Sequence, residues 1–91
     1  MYLETYCMRA VLEAIFEKQE LYLNTKRMSN VTFDEICEAV SAYDYSKEQI
    51  FYTVRKLSEA GYISLKDFSD DGGYYVDGVS FDGHMFYINL K

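Results

Sequence analysis

Ser46-Lys47-Glu48-Gln49-Ile50-Phe51-Tyr52-Thr53-Val54-Arg55-Lys56-Leu57-Ser58-Glu59-Ala60-Gly61 is the stretch whose reading decides the fold. Ser46 and Gln49 stand at capping-box spacing, Ile50, Val54 and Leu57 supply one apolar stripe, and Gly61 is a helix stop. Two β-prone segments follow at once, Tyr62 to Phe68 and Tyr74 to Phe81. They flank Ser69-Asp70-Asp71-Gly72-Gly73, whose acidic and glycine residues suit a hairpin connection. Ile63 and Leu65 alternate with Ser64 and Lys66, and Val79 and Phe81 alternate with Ser80, the period of a half-buried strand.

Upstream, Thr32-Phe33-Asp34-Glu35 forms a second capping box, and Phe33, Ile36, Cys37 and Val40 follow at i, i+3, i+4 and i+7. This helix ends by Tyr43 or Asp44, so only a short turn separates it from the next one, as in a helix-turn-helix. Leu3, Cys7, Ala10, Val11, Ala14 and Ile15 mark a first helix over about residues 3 to 20. Leu21-Tyr22-Leu23 reads as a brief strand or extended loop entering a polar turn. Beyond Ser80 the chain can turn helical again to Leu90, with Phe81, Met85 and Ile88 on one side. The expectation is a single α+β domain over residues 1 to 91: a winged helix-turn-helix with three helices, a wing hairpin and a partial C-terminal helix.

The chain has 91 residues, 49% of them hydrophobic and 18% aromatic, enough to supply the core of a small domain. No apolar run approaches the roughly 18 to 20 residues that span a bilayer, and Glu4 precedes any hydrophobic stretch, unlike a signal peptide. A cytoplasmic protein without membrane contact is expected. Cys7 and Cys37 fall at apolar helix positions and read as two reduced core thiols. Nine Lys and Arg against fifteen Asp and Glu leave a net charge of −6. A nucleic-acid binder neutralises phosphates, so an acidic chain must gather its few cations on one face or bind something else.

Tyr45-Ser46-Lys47-Glu48-Gln49-Ile50-Phe51-Tyr52, Leu57-Ser58-Glu59-Ala60-Gly61-Tyr62-Ile63 and Val79-Ser80-Phe81-Asp82-Gly83-His84-Met85-Phe86 resemble, over about half of the chain, a family of small bacterial and prophage-borne winged-helix proteins of unknown function. Its members look like Tyr-Ser-x-x-Gln-Ile-x-Tyr, Leu-x-x-Ala-Gly-Leu-Ile and Leu-Thr-x-x-Gly-His-x-Phe at similar spacing. Thr53 stands where many members have His, and members tend to extend the last helix further. The resemblance implies the fold and a mobile-element source, and it brings no catalytic residues.

Stepping about 100° per residue from Ile50 puts Glu48, Tyr52, Arg55, Lys56 and Glu59 on the outward face of the third helix. Lys47, Tyr52, Arg55 and Lys56, with Lys26 and Arg27 from the earlier loop, are the candidate DNA contacts of a small regulator acting as a dimer. Glu48 and Glu59 work against that face, and Asp67, Asp70 and Asp71 would put an acidic wing tip near phosphates. Those carboxylates, with Tyr74, instead suit an acidic protein-interaction module, of the kind a phage could use to occupy the nucleic-acid site of a host machine. Asp67, Ser69, Asp71 and Gly72 fit the first half of a calcium loop, but Gly78 stands where the bidentate Glu is needed. His84 has no second His, Cys or Ser beside it in sequence. No enzyme, metal or cofactor is expected.

Overall fold

The computed structural model describes residues 2–24, 30–67 and 73–90. In chain order these residues form α1 (Thr5–Asn24), β1 (Val31–Thr32), α2 (Phe33–Ala39), a 3-10 turn (Ser41–Tyr43), α3 (Lys47–Glu59), β2 (Ile63–Asp67), β3 (Tyr74–Val79) and α4 (Phe81–Asn89). The class is α+β: four helices with a small antiparallel sheet of three strands in the order β1-β3-β2.

α1 runs to Asn24, so Leu21-Tyr22-Leu23 is helical and not the strand or loop its composition suggested. Leu and Tyr are tolerated in helices, and no Gly or Pro interrupts them. α1 buries Cys7, Val11, Leu12 and Ile15 against α3, α2 and β1. Leu3 lies outside the helix and is exposed.

Thr32 belongs to two elements at once. It pairs with Tyr75 while Val31 pairs with Val76, so β1 is a two-residue edge strand too short to leave a sequence pattern. Its hydroxyl also accepts from the Glu35 N–H at 3.2 Å, and Glu35 Oε1 accepts from the Thr32 N–H at 3.1 Å, which completes the expected capping box. α2 stops at Ala39, and the 3-10 turn then leads to Asp44, which is left-handed (φ 61°).

Ser46 caps α3 by accepting from the Gln49 N–H, but the reciprocal half of the expected box is missing. The Gln49 amide instead donates to the Tyr2 carbonyl and the Thr53 hydroxyl. Thr53 is fully buried between Ile50, Val54 and Leu57, an inward position the apolar stripe does not reveal. It donates to the Gln49 carbonyl at 2.8 Å, so the Cys7 thiol 3.3 Å away is the donor to its oxygen. Every buried polar atom in this α1–α3 seam therefore has a partner, as low-dielectric packing demands.

Gly61, at φ 81°, closes α3 and turns the chain into β2. β2 pairs with β3 from Ile63↔Val79 to Asp67↔Tyr74, with a bulge that leaves Asp77 unmatched. β3 ends at Val79, because Ser80 becomes the cap of α4: its hydroxyl accepts from the Gly83 N–H and donates to the Gly61 carbonyl at 2.7 Å. Phe81 is therefore 73% exposed, where strand alternation had placed it in the core. Met85 and Ile88 share its outer side and are exposed too. α4 packs through Phe86, stacked on Tyr62 at 4.5 Å, and through Tyr87 and His84 on Phe16 of α1.

Candidate nucleic-acid interface

With Ile50, Thr53, Val54 and Leu57 turned inward, α3 leaves its opposite face open. Glu48, Phe51, Tyr52, Arg55, Lys56 and Glu59 line a shallow pocket of about 380 Å³ there. Helix phase thus places Tyr52, Arg55, Lys56, Glu48 and Glu59 as expected, and adds Phe51. The cations do not extend freely into solvent. The Arg55 guanidinium carbon sits 5.8 Å from the Phe51 ring centre, and Lys56 Nζ sits 5.5 Å from that of Tyr52. Such contacts contribute about 0.5–1 kcal/mol at exposed sites and restrict where the charge points. Lys56 Nζ also pairs with Glu59 Oε1 at 3.3 Å.

Phe51 is the centre of an aromatic row. It meets Phe33 of α2 edge-on at 5.5 Å and Tyr74 of β3 at 5.2 Å. The sheet is thereby fastened to the flank of α3. Between them lies a second groove of about 310 Å³, lined by Arg55, Ser58, Glu59, Leu65, Lys66 and Tyr74. Arg55 and Glu59 belong to both surfaces and join them. Tyr74, read in sequence as part of an acidic protein-binding set, shares its groove with the cations Arg55 and Lys66.

Lys47 lies in the first turn of α3, exposed, outside both grooves, and close enough to Cys37 for its charge to oppose the thiol's rise in pKa through burial. Lys26, Arg27, Asp70 and Asp71 lie outside the described residues, and Asp67 is placed only as the last residue of β2. In sequence Lys66 is only a polar residue of the strand alternation; its position beside Arg55 follows from the packing of β2 on α3, which spacing alone does not give.

Charge is segregated along the fold. Six of the nine Lys and Arg fall among the described residues, and Lys47, Arg55, Lys56 and Lys66 stand in α3 and β2. The same two elements carry three acids in sequence, Glu48, Glu59 and Asp67. From Thr5 to Asp44 the described residues carry only Arg9 and Lys18, against Glu13, Glu17, Glu20, Asp34, Glu35, Glu38 and Asp44. Among the described residues the acids are thus concentrated between α1 and Asp44 more than in α3 and β2.

Other chemistry-bearing residues are engaged in packing. Burial raises the pKa of both Cys7 and Cys37. The His84 ring stacks on Phe16 at 4.8 Å. Among the described residues no group of His, Cys, Asp and Glu is placed to hold a metal ion, and no helix is long and apolar enough to cross a membrane. A scan against protein-family models and searches of curated proteins and of solved structures find no match to this chain.

Proposed function

We propose that the chain is a winged helix-turn-helix that binds duplex DNA, with α2 and α3 as the helix-turn-helix and β2–β3 as the wing. The observation that carries this reading is the gathering of Arg55, Lys56 and Lys66 on and beside the open face of α3, in a chain that is otherwise acidic. In a groove-bound helix the first turns meet base edges while flanking cations meet phosphates. Lys47 and Tyr52 occupy the first two turns of α3; Arg55 and Lys66 flank them from the helix and the adjacent strand. Their aromatic partners hold the side chains near the surface and reduce the entropy lost on contact. Glu48 and Glu59 repel phosphate, so binding depends on low salt and on a sequence or partner that adds contacts.

The resemblance to prophage-borne winged-helix proteins supports the fold half of the proposal, and its motif residues have architectural work here. Gly61 turns the chain, Ser80 caps α4, Gly83 lets α4 approach Tyr62, and His84 packs on Phe16.

Fluorescence anisotropy of a labelled random-sequence duplex tests the DNA reading. Neutralising four phosphates gives a log–log salt slope of about −3.6, or about 150-fold weaker binding between 50 and 200 mM salt. Arg55→Ala, Lys56→Ala and Lys66→Ala should each weaken binding and lower the slope by about one. No binding at low salt, or binding indifferent to all three, removes the proposal. A second reading has its own observation: Phe51, Tyr52, Tyr74 and Arg55 form the aromatic and arginine surface typical of protein hot spots. Under that reading a protein partner is lost with Tyr74→Ala while duplex DNA never binds.

A further inference from the structure

A different groove runs between α1 and the chain that leaves α2. Tyr6, Arg9, Ala10, Glu13, Tyr43 and Tyr45 enclose about 370 Å³ of it, within the size range of small-ligand sites. It continues past Ala10, Glu13 and Tyr43, over Ala14 and Ala39, to Glu17. The small side chains of both helices form its floor and the tyrosines its wall.

Tyr45 packs partly against the core, but Tyr6 and Tyr43 stand outside it. Tyr6 is 76% and Tyr43 is 56% exposed. The Tyr43 and Tyr45 rings stack with centres 6.4 Å apart and planes 24° from parallel, on either side of the left-handed Asp44. Burial, and then the nearby Glu4 carboxylate, push the Tyr45 hydroxyl up, so it remains protonated at neutral pH. Glu13 is fixed by two donors on one oxygen: Arg9 Nε at 3.1 Å and the Tyr87 hydroxyl at 2.9 Å. Arg9 is a half-exposed i,i+4 partner, a pairing of only about 0.3–0.5 kcal/mol that a competing cation can replace.

The faces of tyrosine rings are electrostatically negative and attract cations. Glu13 and Glu17 line the groove and Glu4 acts on Tyr45 beside it, against the guanidinium of Arg9, so carboxylates and ring faces favour the same sign of ligand. A carboxylate or phosphate would meet repulsion from all of them. We propose that this groove receives an arginine- or lysine-bearing segment of a partner polypeptide, its cationic side chain lying against Tyr43 and Tyr45 and reaching Glu13. The apolar stem of such a side chain suits the alanine floor, and its charge completes what Arg9 only partly neutralises. The site is separate from the face of α3 and does not depend on DNA binding.

The experiment is a titration of the ¹⁵N-labelled protein with a short peptide of alternating glycine and arginine, beside a glycine–glutamate peptide of equal length. Saturable shifts of the Tyr6, Arg9, Glu13, Tyr43 and Tyr45 amides with the arginine peptide alone are the expected result. Glu13→Gln and Tyr43→Ala should each weaken binding about two- to fivefold. Tyr43 is on the surface, so its variant keeps the fold if loss of the Glu13 charge disturbs Arg9 and Tyr87. No shifts, shifts confined to α3, or equal shifts with the glutamate peptide would overturn the proposal. So would movement of the groove amides on diluting the protein alone, which would identify a second copy of the chain as the occupant.

Discussion

Gly83→Ala should be among the most damaging single-methyl changes in this chain. Gly83 is the third residue of α4, buried where that helix passes over Tyr62 and Val79. A Cβ built there would overlap the Tyr62 carbonyl oxygen and lie 2.7 Å from Val79 Cγ1. Backbone cannot rotate away as a side chain can, so α4 must lift. Overpacking alone costs about 1–3 kcal/mol. Lifting also strains the Ser80 hydroxyl bonds to Gly61 and Tyr62 and the Tyr62–Phe86 stack, each worth about 0.5–1.5 kcal/mol. Alanine's helix propensity returns up to about 1 kcal/mol, less at a third helical position. The net loss is about 2–4 kcal/mol, and a domain of this size loses about 4–8 °C in Tm per kcal/mol. Thermal and urea unfolding should be compared with Gly78→Ala, where a Cβ meets open space, and with Gly61→Ala, where space is free but φ is 81°. The expected order of damage is Gly83, then Gly61, then Gly78. A Gly83→Ala protein as stable as Gly78→Ala would refute the crossing of α4 over Tyr62.

Leu57→Ala should cost about 2–5 kcal/mol in urea unfolding, since Leu57 is 2% exposed in the core; a change near zero would mean that the phase of α3 is wrong. The pKa of Tyr87 is raised by burial and by its bond to Glu13. A raised pKa means the folded state keeps a proton that the unfolded state releases, so this stability is whole below about pH 10 and falls as pH rises further. Tyr87→Phe should flatten the alkaline decline, measured as Tm against pH, and equal slopes would exclude the Tyr87–Glu13 bond. Cys37 is half-buried and Cys7 fully buried, so alkylation of the native protein should reach Cys37 first, with mass spectrometry locating the adduct. Equal labelling would place Cys7 outside the α1–α3 seam.

Sequence exposed the features that depend on local spacing. Thr32–Glu35 reads as a cap because both bonds close within one turn, and the angle of Arg55 and Tyr52 on α3 follows from 3.6-residue periodicity. Elements set by distant partners were hidden. β1 is two residues long and exists only through Val76 and Tyr75. Phe81 continues the strand alternation in sequence, yet Ser80 ends the strand because the Gly61 carbonyl and the Gly83 N–H converge on its hydroxyl. Thr53 looked neutral and proved to be the buried joint between Cys7 and α3. The site divides the same way. The cations of α3 were legible, while their union with Lys66 and Tyr74 required the packing of β2 on α3 and the contact of Tyr74 with Phe51. The tyrosine groove leaves no signal in local spacing, because its wall joins α1 to the turn before α3.

The central claim is that the open face of α3 and the neighbouring β2 form the nucleic-acid surface of an otherwise acidic chain. Its most direct measurement is a low-salt titration of the ¹⁵N-labelled protein with a short random-sequence duplex, reading which amides move. The account predicts shifts over Lys47–Glu59 and Ile63–Asp67, lost on adding salt and reduced by Arg55→Ala. Shifts centred on α1 and the 3-10 turn, or a spectrum unchanged at saturating duplex, would contradict it.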